Sequence, residues 1–538
     1  MPDTFDYIVV GGGSAGSVMA ARLSEDTSSR VLLVEEGGEG DSMLVRMPKG
    51  FGKSLMDANL TSYHPAQFDR GDGKGTDMWV RGKMLGGSSA VNGMVWIRGQ
   101  PADWDQIESL GNPGWSWNDM SSYFRRLEDH ALGDNGVRGV GGPIKITDNP
   151  NKTPLHKAFL RAGTQMGLRI KEDQNELDQE GIGYLQWNID SNGRRCSAAR
   201  GFLKPARSRP NLAVETGVRI NRVIMDGSRA VGVEGERNGE AVTFHTQGEV
   251  ILCAGGLASP KILQLSGIGN SDTLSKAGVP VVIDSPMIGF NMREHCLLQL
   301  GFRIRDMRYS LNRSFSGPRL VGNVVRWALT GSGPLAWGSH EMAAFVRSSR
   351  QSNRADSQIM FTPFSLDPAS PMKFEEEPGV TVFSYPLRPD SQGHILITSS
   401  DPSAPPDIDI NYLDTQHDRD VSIASIRYIR ELMGQPALRD FVVGETEPTV
   451  SAQTDEEILA AFRRYAVPGY HACGTVAMGT GYPLDERLRV RGAQNLRVAD
   501  CSVFPEMLSG NTNAPTMALA WRASDLIRQD RLTSLRAV

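Results

Sequence analysis

A chain of 538 residues is longer than one compact core usually holds, so a division into two domains is expected. Its 57 basic and 62 acidic residues leave a net charge of −5 with no long run of either sign, which argues against a nucleic-acid partner. The longest apolar runs, such as "EVILCAGG", are far too short to form a transmembrane segment, and the first residues, "MPDTFDYIVVGGG", do not read as a Sec-type signal. The five Cys (Cys196, Cys253, Cys296, Cys473 and Cys501) are scattered, with no Cys-x-x-Cys pair and no metal-ligand spacing. Reduced thiols, a cytoplasmic location and no metal are therefore expected, with peripheral membrane association and oligomerisation left open.

The first 36 residues carry the first chemical signal. "FDYIVVGGGSAGSVMAARLS" reads as a β-branched strand, a glycine turn and a helix, with Gly11, Gly13 and Gly16 in G-x-G-x-x-G spacing. Gly11 permits the tight turn, Gly13 lets a pyrophosphate approach the backbone, and Gly16 lets the helix lie close to the strand. The pyrophosphate would rest on the positive end of that helix, near Ser14 and Ala15. A second strand, "RVLLVEEGG", ends in Glu35 and Glu36, where a carboxylate can accept both ribose hydroxyls of an adenosine. An acid here rather than a base points to an unphosphorylated ribose, hence FAD or NAD. The glycines alone do not separate the two.

Further along, "RGKMLGGSSAVNGMVWIRGQPADWD" crowds Gly82, Gly86, Gly87, Ser88 and Ser89 into one loop able to offer amides and hydroxyls to a polar ligand. "CAGGLASPKILQLSGIG" follows a strand and leads into a helix. Near the C-terminus, "NLRVADCSVFP" is a strand ending in Asp500. "GNTNAPTMALAWRASDLI" then starts a helix with Pro515 in its first turn and Asn511, Thr512 and Asn513 near its cap.

These blocks, in this order over nearly the whole chain, resemble the glucose–methanol–choline (GMC) family of FAD oxidoreductases, most of all its bacterial alcohol dehydrogenases and oxidases. The stretch from Gly82 to Asp105 fits the family's first signature. Gly255 to Gly269 fits its second, except that Gly256 stands where another small residue is usual. "GFNMREH" is similar to a block that usually ends Asp-His, with Met292 and Glu294 as departures.

The resemblance implies an α/β fold (α+β overall): a Rossmann-like FAD-binding domain with an inserted substrate domain built on an antiparallel sheet backed by helices. The FAD domain is expected at 1–150, 190–300 and 475–538, and the substrate domain at 151–189 and 301–474, where "HILITSSDPSAPPDIDINYL" reads as a strand pair. Val218 matches the residue whose backbone holds the adenine. Asn92, Gly93, Met94 and Val95 would run past the isoalloxazine, and the helix after Asn511 would aim its N-terminus at the anionic edge of the reduced flavin. Val91 occupies the position of a His that carries covalent flavin in some members, so FAD is expected to be non-covalent.

The resemblance also implies the chemistry. His471, in "YHACGT", matches the family base, and Asn511 matches its partner. A neutral imidazole suits removal of a hydroxyl proton as hydride leaves for flavin N5, and an amide can only orient the substrate oxygen. The expected reaction is oxidation of a primary alcohol, aliphatic or aromatic, to the aldehyde. Oxygen or a quinone-type acceptor would then take the electrons. Alternatives on the same fold are a hydroxynitrile lyase and a fatty-acid photodecarboxylase. Members acting on choline carry a carboxylate just after the His of the "DH" block, and here Cys296 and Leu297 follow His295, which counts against a quaternary ammonium. Ala472 replaces a common Pro, and Gly93 stands where some aryl-alcohol oxidases carry an aromatic residue. His295 reads as structural, His64 as either packing or covering the flavin, and Cys473 as a small buried thiol. Trp337, Phe361, Phe364 and Tyr470 are candidates for an apolar pocket, although each by itself reads more readily as ordinary core.

Overall fold

The computed structural model describes residues 4–349, 352–368 and 370–536. The strand Thr4–Val10 lies inside a seven-stranded sheet, pairing in parallel with Val31–Val34 on one side and Glu240–Leu252 on the other. Val31–Val34 pairs onward in parallel with Leu212–Glu215, and Leu496–Val498 joins Glu240–Leu252, again in parallel. Two antiparallel strands, Arg219–Asp226 and Arg229–Arg237, complete the sheet. Val31–Val34 is buried at all four positions, the continuous apolar run that a parallel strand covered on both faces requires. Helices Ser14–Leu23 and Asn513–Arg536 pack against each other, so the two ends of the described chain meet.

A second, eight-stranded sheet is antiparallel apart from one short parallel pair, Ile170–Lys171 with Gly181–Tyr184. Its long strands are Cys296–Ile304, Met342–Val346, Ser357–Thr362 and Gly379–Pro386. Helices Pro154–Gln165, Gln416–Met433 and Asp455–Tyr465 back it through a separate apolar core. The architecture is thus the expected mixed α/β one, with the antiparallel sheet backed by helices. Cys296–Ile304 straddles residue 300 and belongs to this second sheet.

The pair read in "HILITSSDPSAPPDIDINYL" forms as His394–Leu396 and Asp407–Asp409, but not in the large sheet. It extends a third, four-stranded sheet built on the hairpin Thr61–Asp69/Lys74–Gly82. That hairpin carries Arg81 to the site described next. Among the described residues, no helix is long and apolar enough to cross a membrane, and no cluster of three or more ligating side chains could hold a metal ion.

Candidate active site

The two glycine loops form one cradle. Gly86 N–H donates to Gly12 O at 2.7 Å, and a Cβ on Gly87 would lie 2.7 Å from the Cα of Gly13. Gly11, at φ 97°, and Gly87, at φ 48°, are in conformations that side chains resist. A Cβ on Gly16 would sit 1.8 Å from Gly11 O, which is why the helix can approach the strand so closely. The helix Ser14–Leu23 starts with no side-chain cap and no acid in its first turn, leaving its first amides to an anionic ligand. Ser14 Oγ donates to Asn513 Oδ1 at 2.9 Å, which joins this turn to the C-terminal helix. Asn513 Nδ2 and Asn511 Oδ1 are buried without a partner, two polar atoms that a ligand would satisfy. A cradle of backbone amides with orphaned polar atoms at its rim fits a dinucleotide.

Glu35 is buried, its carboxylate accepting from Gly12 N at 2.8 Å and Gly37 N at 2.9 Å; burial pushes it up to about 7. Glu36 is exposed beside it. Val218 N–H is engaged by Glu35 O at 3.0 Å, which leaves only its carbonyl for an adenine. Asp500 accepts from Gly255 N, Ser259 Oγ and Ser502 N at 2.6–2.8 Å. Its carboxylate thus ties the strand Leu496–Val498 to the helix Gly255–Leu265.

The loop Asn92–Val95 is held by a residue the sequence did not single out. Arg195 is almost fully buried and donates from Nη1 to Asn92 O at 2.7 Å, Asn92 Oδ1 at 2.9 Å and Ser89 O at 3.3 Å. Desolvation lowers its guanidinium to about 9. Asn92 Oδ1 also accepts from Met94 N at 3.0 Å, and Met94 takes φ 63°. Gly93 O accepts from Ser339 N and Oγ, and a Cβ on Gly93 would fall 2.1 Å from that hydroxyl. A side chain at position 93, such as the aromatic residue that some aryl-alcohol oxidases carry, would require Ser339 to shift.

His471 and Asn511, forty positions apart, meet with Asn511 Nδ2 3.0 Å from His471 Nε2. The other ring nitrogen of His471, Nδ1, lies 2.8 Å from His295 Nδ1. His295, expected to be structural, is the direct hydrogen-bond partner of His471. Its Nε2 lies 2.9 Å from Leu387 O. A carbonyl only accepts, so His295 carries its proton on Nε2. Burial lowers His295 to about 4 and His471 well below the ordinary imidazole value, so both rings are neutral near pH 7. His295 Nδ1 is then a bare acceptor, His471 must donate from Nδ1, and its unprotonated Nε2 faces the Asn511 amide. One backbone carbonyl thus fixes the tautomers of two histidines.

Glu294, also outside the sequence reading of the site, shapes the loop around them. Its buried carboxylate accepts from His471 N at 2.7 Å and His295 N at 2.8 Å. Desolvation raises it to about 7, against the opposing pull of Arg81 3.9 Å away. Arg81 donates to Tyr470 O at 3.2 Å, and Tyr470, at φ 61°, makes the turn that directs His471 N–H onto Glu294. Gly469 has no freedom to change: its Cβ would lie 2.8 Å from His471 Nδ1, 2.9 Å from His295 Cβ and 3.1 Å from Leu297. Gly256 is explained by the same loop, since its Cβ would meet Ala472 O at 2.5 Å. Tyr385 packs its ring 4.3 Å from that of His295 and donates its hydroxyl to Gln358.

The other residues named from the sequence have different surroundings. His64 bonds Ser62 Oγ on its own strand and is lowered to about 4 by burial. Cys473 is a buried thiol raised far above its ordinary value. Phe361 is fully buried against Phe159 in the second core, so it lines no pocket. Tyr470 stacks with Arg81, and Phe364 packs with Phe315 and Phe374. Trp337 does border the site-side cluster that contains Leu297 and Tyr385.

Known proteins share this architecture. The GMC oxidoreductase family models match residues 5–297 and 389–520. Human choline dehydrogenase, mitochondrial, is 37% identical over 541 residues, covering 98% of this chain and 90% of that one. Pyridoxine 4-oxidase from Mesorbium loti superposes with a TM-score of 0.86 at 29% identity, covering 98% of this chain and 99% of the other. An FAD-dependent oxidoreductase from Chaetomium thermophilum gives a TM-score of 0.88 at 25% identity, covering 98% and 100%. The chain belongs to the GMC oxidoreductase family and is an FAD-dependent oxidoreductase.

Proposed function

We propose that the protein oxidises a neutral primary alcohol, aliphatic or aromatic, to the aldehyde, with His471 Nε2 removing the hydroxyl proton. The observation that carries this reading is the hydrogen-bond chain Leu387 O, His295, His471, Asn511, which leaves a bare imidazole nitrogen 3.0 Å from an amide donor. A substrate hydroxyl that displaces the Asn511–His471 hydrogen bond would meet a base for its proton and a donor for its oxygen. Bound FAD supplies the acceptor for the hydride. As His471 gains the proton, its Nδ1–H stays directed at His295, and the Glu294 carboxylate beneath the loop offsets the new positive charge. Asn511 keeps the developing alkoxide oriented.

The substrate side is apolar. Leu297 lies next to the His295–His471 pair, in a cluster with Met94, Val95 and Ile97 and flanked by Phe383 and Trp337. The relative named for choline does not bring that substrate with it, because Leu297 offers no charge to a quaternary ammonium. Val91 is buried among Val45, Met84 and Ala90 and has no nucleophile, which supports non-covalent FAD. The strands of the first sheet all come from 1–150, 190–300 and 475–538, which supports assigning these segments to FAD and 151–189 with 301–474 to substrate.

The test is anaerobic mixing of the flavin-loaded protein with a panel of primary alcohols and with choline. Bleaching of the oxidised flavin by benzyl-type or aliphatic alcohols, and not by choline, is the expected result. A flavin left oxidised by every alcohol would point to the lyase or the photodecarboxylase. Flavin released by acid precipitation would agree with Val91; flavin retained by the protein would contradict it.

A further inference from the structure

The segment from Met307 to Gly333 contains four arginines (Arg308, Arg313, Arg319, Arg326) and no acidic residue, although the whole chain is net negative. Its helix, Gly317–Thr330, is anchored by Trp327, which is buried among Met47, Leu335 and Ala336 and donates from Nε1 to Gly193 O at 2.8 Å. Leu320 and Val324 pack on the same cluster. The opposite face is apolar too. Val321, Val325 and Leu329 form a stripe at four-residue spacing and are 64%, 51% and 80% exposed. Arg319 and Arg326 project beside that stripe, and among the described residues neither they nor Arg313 meets a carboxylate. Only Arg308 is paired, with Asp306.

A helix buried on one side, apolar on its outer side and edged by unpaired arginines has the make-up of a helix lying in the plane of a lipid surface. We propose that Gly317–Thr330 docks this protein onto an anionic bilayer, with Val321, Val325 and Leu329 entering the headgroup boundary and Arg313, Arg319 and Arg326 meeting lipid phosphates. The charge complementarity selects an anionic lipid surface over a second copy of this chain, whose matching face would present the same arginines. Trp337 packs against both the cluster under this helix and the site-side cluster of Leu297 and Tyr385, so the docked face backs onto the proposed substrate pocket. The proposal stands independently of which alcohol is oxidised.

The test is sedimentation of the flavin-loaded protein with vesicles of phosphatidylcholine alone and of phosphatidylcholine mixed with phosphatidylglycerol. Two double variants accompany it, Val325→Glu with Leu329→Glu and Arg319→Ser with Arg326→Ser, together with light scattering for oligomeric state. The expected result is binding to the anionic vesicles only, weakened by salt, lost in the glutamate variant and reduced about fivefold for each arginine removed. Flavin content and turnover of a water-soluble alcohol should stay unchanged in both, because all four positions face solvent. Three results would overturn the proposal: no binding of the wild type to anionic vesicles, equal binding by the variants, or a wild-type dimer that the glutamate variant dissociates.

Discussion

His295 provides the sharpest perturbation of the site. In the structure its bare Nδ1 accepts from His471 Nδ1–H at 2.8 Å, and that bond places the lone pair of His471 on Nε2. His295→Ala removes the acceptor and leaves a buried N–H unpaired, which costs about 1–3 kcal/mol unless His471 changes tautomer and presents the wrong nitrogen. If the whole penalty falls on the reactive arrangement, flavin reduction slows by roughly 5- to 150-fold. His295→Asn keeps a carbonyl oxygen close to the place of the lost Nδ1 and should recover a large part of the rate. Anaerobic stopped-flow reduction at saturating alcohol measures both variants, with flavin content as the control for folding. A residue that merely packs would show no difference between Ala and Asn beyond stability. Reduction by His295→Ala at the wild-type rate and with an unchanged pH profile would refute the tautomer argument.

Glu294 predicts the pH dependence. Its carboxyl is raised to about 7, so the charge that offsets protonated His471 is present above that pH and lost below it. The reduction rate should fall as pH drops through about 7, and Glu294→Gln should be slow and flat over the same range; a wild-type acid limb retained in Glu294→Gln would contradict this. Glu35, raised from 4.5 to about 7, is a carboxyl whose folded form holds its proton more tightly than the unfolded chain does. The flavin-free protein should therefore lose stability as pH rises from about 4.5 to 7, by on the order of 3 kcal/mol from this group, and Glu35→Gln should remove that share of the decline in thermal midpoint. Gly256→Ala would press a methyl group onto Ala472 O, 2.5 Å from the ideal Cβ position. It should keep FAD while slowing reduction roughly 5- to 150-fold, from on the order of 1–3 kcal/mol of strain passed to the loop that carries His471; wild-type rates would show that the loop yields freely.

The cradle could be read from the sequence because its parts are local. A strand, three glycines, a helix start and an acid fall within one stretch, and each has a steric or electrostatic reason that a single residue type satisfies. His471 and Asn511 could be found from the blocks around them. What surrounds them was hidden, because no local pattern records it. His295 lies 176 positions before His471, and the atom that sets the tautomer of both is a backbone carbonyl on Leu387, which any residue could supply. Arg81 arrives on a hairpin whose partner strands come from beyond residue 390, and Arg195 grips a loop a hundred residues earlier. Phe361 suited a pocket and the core alike from its chemistry, with core the readier reading, and the packing of Phe159 against it places it in the core. Gly256 and Ala472 looked like two independent departures and are one steric contact.

The proposed alcohol oxidation stands on His471 Nε2 as the base. It is tested most directly by anaerobic reduction of FAD-loaded His471→Ala with an alcohol that bleaches the wild type. The variant should bind FAD as the wild type does and be reduced on the order of a hundred- to ten-thousand-fold more slowly. Reduction at a near-normal rate with FAD in place would contradict it.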